Sequence, residues 1–68
     1  MLDVRFEEMK FKAQKAFKRR YGDCVTGSQR LDDNRLRIEG NHGALWLDFD
    51  ISAWRIRCIG GGAMGDGE

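Results

Sequence analysis

Few side chains in this sequence could do chemistry. Cys24, His42 and Cys58 are its only soft metal ligands, where structural zinc takes four, often as C-x2–4-C pairs. The two cysteines lie 34 positions apart, and Cys58 fits the inner face of a strand as a small hydrophobe. Nucleophilic catalysis would need Ser28 or Ser52 beside His42, with an acid to orient the imidazole. His42 instead falls in Gly40-Asn41-His42-Gly43, a turn of residues that tolerate positive φ. The string Gly60-Gly61-Gly62-Ala63-Met64-Gly65 spells G-x-G-x-x-G, but three residues remain after it and the motif needs a following helix. Asp32 and Asp33 read as turn formers, and Asp48 has arginine neighbours. The sequence therefore predicts no metal, no cofactor, no small-molecule substrate and no enzymatic activity.

Two surfaces remain. The first is an alternating sheet face that carries Arg35, Arg37, Arg55, Arg57 and Trp46. An indole between guanidinium groups can form a self-contained cation–π ladder. It can also be a binding face, since Trp and Arg dominate interface hot spots and aromatic sheet faces stack single-stranded bases. Asp48 and Glu39 on the same face favour a protein partner there. The second surface is a helix stripe of Lys12, Lys15, Lys18, Arg19 and Arg20. From Lys10 to Arg20 there are six positive charges and no negative one. Basic residues late in a helix suit its dipole, and they also suit the phosphates of a polyanion.

The elements that must position these residues can be read from periodicity. Asp3 is a candidate N-cap, and no Gly or Pro occurs before Gly22. At 100° per residue, Leu2, Phe6, Met9, Ala13, Ala16 and Phe17 share one stripe, with Tyr21 at its edge, which predicts a helix over 3–21 with that face inward. Val4 and Phe11 lie off the stripe, and they or the first strand's free edge could contribute to a homodimer. From Cys24 the period becomes two. Strands are expected at 24–30, 35–39, 45–49 and 54–58, separated by turns at 32–34, 40–43 and 50–53. The expected cross-strand pairs are Arg37–Trp46–Arg57 and Arg35–Asp48–Arg55 on the outer face. The inner face would hold Ile38–Leu45–Cys58, Leu36–Leu47–Ile56 and Phe49–Trp54.

A sheet with one apolar side must bury it, and the single helix is the partner available. The fold class expected is α+β: one N-terminal amphipathic helix on a three- to four-stranded antiparallel meander. The core would be Phe6, Met9, Ala13, Phe17, Leu36, Ile38, Leu45, Leu47, Phe49, Trp54 and Ile56. Residues 1–59 form the domain in this reading, and the Gly-rich residues 60–68 form a disordered tail.

Sixty-eight residues, 41% hydrophobic and 34% charged, allow one small core. The longest apolar run, Ala44-Leu45-Trp46-Leu47, is far short of the roughly 20 residues of a membrane span. The first residues lack the basic and apolar regions of a secretory signal, so reduced thiols and a cytoplasmic setting are expected. The net charge of +1 conceals an asymmetry. Residues 1–20 carry seven Lys/Arg against three Asp/Glu, and residues 21–68 carry five against eight. Such polarity points to a polyanion or an acidic protein surface. The function expected is a small non-catalytic nucleic-acid-binding module using the basic helix and the Arg/Trp face. The alternative is a small regulatory or inhibitory protein, of the kind phages and mobile elements carry, that binds a protein through the Arg/Trp face.

Overall fold

The computed structural model describes residues 3–63. Among them, helix α1 (Val4–Tyr21) is followed by strands β1 (Val25–Asp32), β2 (Arg35–Gly40), β3 (Leu45–Asp50) and β4 (Arg57–Ala63). The strands form one antiparallel sheet in the order β1-β2-β3-β4. The chain is thus the helix-on-meander α+β fold that its periodicity predicts.

The helix begins where Asp3 accepts a hydrogen bond from the Phe6 N–H at 3.0 Å, satisfying one of the unpaired N-terminal donors. It ends at Gly22, whose φ of 91° is strained for a residue with a Cβ. Met9, Ala13 and Phe17 are fully buried against Leu36, Ile38, Leu47, Phe49 and Ile51. Phe6, Ala16, Tyr21, Leu45 and Ile56 pack around this core. Each large apolar side chain buried there contributes about 1.5–3 kcal/mol. The helix rests chiefly on β1 and β2.

The faces of β2 and β3 are as expected but their register is not. Ile38 pairs with Leu47 rather than Leu45, Leu36 with Phe49 rather than Leu47, Arg37 with Asp48 rather than Trp46, and Arg35 with Asp50 rather than Asp48. This is a shift of two residues. It leaves every side chain on its expected face, so alternation alone does not distinguish the two registers. Close packing at Gly40 does: a Cβ there would lie 2.7 Å from the Phe17 ring and 2.8 Å from the Cys24 carbonyl oxygen. Gly40 is therefore drawn into β2 opposite Leu45, and Asn41 and His42 turn the chain with φ of 51° and 57°.

The last strand departs further. Trp54 and Ile56 precede β4, and Gly60–Ala63, expected in a loose tail, are strand residues. Residues 64–68 of that expected tail lie outside the described residues. Trp46 pairs with Gly62 rather than Arg57, and Asp48 with Gly60 rather than Arg55. The glycines make room for their neighbours: a Cβ on Gly61 would sit 2.6 Å from a Leu47 methyl, and one on Gly62 would sit 2.5 Å from the Trp46 ring. Trp54, expected inside, is 54% exposed in the β3–β4 connection with φ 56°. Ile51, expected in a turn, takes its place in the core, and its N–H donates to the Asn34 carbonyl at 2.9 Å. Cys58, expected on the inner face as a core residue, is exposed.

Candidate nucleic-acid interface

The basic residues of α1 stand on a rigid element. Lys12, Lys15, Lys18, Arg19 and Arg20 are all exposed. Lys12, Lys15 and Arg19 follow an i, i+3, i+7 spacing, which places them within about 60° of arc and about 10 Å of helix length. Among the described residues none of the three has a carboxylate within ion-pair distance. Lys15 instead lies 4.9 Å from the centre of the Phe11 ring, and Phe11 is 59% exposed. Lys18 beside them reaches Asp23 at 3.7 Å. Both groups of that pair are well exposed, so solvent and salt weaken it. Arg20 turns to the helix flank, 5.6 Å from the Tyr21 ring.

The sheet arginines are arranged differently. Arg37 forms a two-pronged pair with Asp48, Nε to Oδ1 at 2.7 Å and Nη2 to Oδ2 at 3.1 Å. That carboxylate holds the guanidinium in its charged form and raises its pKa. The same guanidinium lies 5.4 Å from the Trp46 ring, so Trp46 has one arginine over it and Gly62 beside it, not the two flanking arginines expected. Arg35 approaches Asp32 at 3.7 Å and Arg57 approaches Asp50 at 3.6 Å. Arg55 is exposed in the β3–β4 connection, off the sheet face on which the alternation placed it. The Arg/Trp face is therefore an acid-and-base lattice in which three of four arginines meet carboxylates of their own chain. Asp50 is held below the ordinary carboxylate range by the Ser52 hydrogen bonds and by Arg57 and Arg35, so it stays charged and keeps this face mixed in sign.

Sequence reasoning missed Arg30. Exposed on the helix side of β1, it lies 4.4 Å from the Phe6 ring, with Nη2 3.0 Å from Asp3. It thus caps the open end of the core and ties β1 to the helix start. Asp3 is kept below its usual pKa by the Phe6 N–H and, secondarily, by Arg30. A charged residue in a weakly patterned strand gives no signal for this role. Arg5 similarly clasps the β1–β2 turn, donating to the Asp33 carbonyl at 2.9 Å.

Among the described residues no group of three or more His, Cys, Asp or Glu is placed to hold a metal ion, and no helix is long and apolar enough to cross a membrane. Cys24 and Cys58 are unpaired and belong to opposite sides of the sheet. Compared with protein-family models, with curated proteins and with solved structures, the chain matches none of them.

Proposed function

We propose that the protein is a small, non-catalytic, cytoplasmic module that binds nucleic acid through the exposed face of α1. Lys12, Lys15 and Arg19 grip successive phosphates, with Lys18 as a fourth contact once it releases Asp23. The observation that carries this reading is the set of three cations on one helix face with no carboxylate partner among the described residues. Phosphate contacts of this kind position a protein without reading sequence, so binding is indifferent to base composition. The second reading, a regulatory protein docking through Trp46 and its arginines, draws less support. Arg37 is held in its two-pronged pair with Asp48, which a partner would have to displace, while the longer, exposed contacts of Arg35 with Asp32 and Arg57 with Asp50 leave acids interspersed with the bases of this face.

The test is the salt dependence of binding to an unrelated duplex and to a single strand. Three to four neutralised phosphates give a slope of about −3 in log K against log salt on duplex, and a shallower slope on a single strand. Absence of binding to either oligonucleotide in low salt overturns the reading.

A further inference from the structure

β4 is an edge strand. It pairs with β3 on one side, and its other side carries no strand among the described residues. The two edges of the sheet differ. β1 is broken by register shifts at Val25/Gly27 and Arg30/Asp32 and carries charged Arg30 and Asp32 along its length, both devices that discourage pairing. β4 begins at Arg57 but carries no further charge through Ala63, and its ladder shifts once, opposite Asp48/Phe49. A Cβ at Gly60 would meet nothing within 4 Å.

Beside this edge is a groove, because the helix lies over β1 and β2 and leaves the inner face near β4 thinly covered. Ala16, Arg19 and Arg20 form its helix side and Leu47, Phe49 and Cys58 its floor, over about 260 Å³. It continues past Arg20 and Leu47 along Gly60 and Gly61 into a further hollow of about 310 Å³. Arg19 and Arg20 have no carboxylate within ion-pair distance among the described residues.

We propose that the β4 edge and this groove dock an extended acidic segment of a partner protein, which adds to the sheet as a fifth strand. Main-chain hydrogen bonds to β4 provide the attachment, and alternate side chains of the added strand supply selectivity. Apolar side chains on one face of that strand cross above Gly60 and Gly61 to Leu47, and neighbouring carboxylates meet Arg20 and Arg19. Charge decides the occupant. A second copy pairing β4 to β4 would bring its own Arg19 and Arg20 to the same seam, like charge against like. This site shares Arg19 with the nucleic-acid face and extends beyond it through Arg20, which lies about 80° around the helix from Lys12 and about 140° from Lys15, and through the β4 edge.

The experiment uses the full chain, isotope-labelled, with two short synthetic peptides: one alternating valine and glutamate, the other valine and lysine. The expected result is slowed amide exchange in residues 59–63 on adding the glutamate peptide, and an affinity about tenfold or more above that of the lysine peptide. Arg20→Glu reverses the order of the two peptides. Lys12→Gln with Lys15→Gln leaves the glutamate peptide bound as before, which separates docking at β4 from general attraction to the basic helix. Equal affinities, no binding, or protection along β1 instead of β4 overturns the proposal. Protection of β4 that grows with protein concentration and needs no peptide assigns the edge to a second copy and equally overturns it.

Discussion

Substituting Gly40 by alanine is expected to lower stability by a purely steric route. Its backbone, at φ −136° and ψ 165°, is ordinary extended structure open to any residue, so no conformational strain enters. The added methyl would stand 2.7 Å from two atoms of the Phe17 ring and 2.8 Å from the Cys24 carbonyl oxygen. Neither neighbour can yield freely. Phe17 is fully buried among the core side chains, and the Cys24 carbonyl accepts the Asn41 N–H at 3.0 Å, which ties the start of β1 to the β2–β3 connection. Overpacking of this kind costs about 1–3 kcal/mol. The narrower unfolded ensemble of alanine returns about 0.4–1 kcal/mol. The net loss is about 1.5 kcal/mol, which for a domain of this size lowers Tm by about 10 °C. Thermal and urea unfolding followed by circular dichroism measure it, with the urea slope unchanged. Combining Gly40→Ala with Phe17→Leu should cost less than the two single changes added together, because the smaller side chain frees the space the methyl needs. An unchanged or raised Tm for Gly40→Ala, or strict additivity in the pair, would refute the account of how the helix seats on β2.

Changing Lys12, Lys15 and Arg19 together to Gln removes about three phosphate contacts, so the salt slope on duplex should fall by about 2.7 with the melting temperature nearly unchanged. A slope that stays the same returns these residues to the role of complementing the helix dipole. Trp46→Ala should cost about 1–2 kcal/mol, more than one exposed cation–π contact and less than the 3–5 kcal/mol of a fully buried tryptophan, because the half-buried ring covers Gly62 and lies against Arg37. Its effect on nucleic-acid affinity should be negligible in a salt-controlled titration. Asp3 is held below the ordinary carboxylate pKa in the folded protein, so the stability it adds is present above about pH 4 and is lost as pH falls through its lower folded value. Asp3→Asn should therefore be less stable than the parent at neutral pH, and the difference should close in acid urea titrations.

The helix, its cap at Asp3, its end at Gly22 and its buried stripe were legible because an i, i+3, i+4 pattern of Phe6, Met9, Ala13 and Phe17 admits one orientation. The inward and outward faces of β2 and β3 were legible for the same reason, with Leu36, Ile38, Leu47 and Phe49 alternating against polar residues. Register was not, since a two-residue slide preserves that alternation. The identity of β4 was also hidden. Trp54, Ile56 and Cys58 alternate like a strand, yet the ladder is built from glycines, whose low strand propensity argues against the place they occupy. The basic helix face was legible from charge alone. The Arg/Trp face was legible in composition but not in pairing, because which of Trp46 and Asp48 stands directly opposite Arg37 depends on the same two-residue slide. Arg30 left no trace, since its contacts with Phe6 and Asp3 depend on the path of β1 past the helix start.

The glycine run of β4 carries information by exclusion. Side chains usually fix a strand's alignment through what they prefer to touch, and Gly60, Gly61 and Gly62 have none to offer. The alignment of Gly61 and Gly62 is fixed by what Leu47 and Trp46 refuse: the Leu47 methyl and the Trp46 ring stand where their Cβ atoms would be. A slide of two residues, harmless to a featureless ribbon, would set Ile59 or Ala63 opposite Leu47. The branched or methyl-bearing residue would then meet a space of about an atom's radius. The two residues flanking the glycines thus act as stops at either end of a keyway, and the strand least able to recognise its neighbour closes against it in a single alignment.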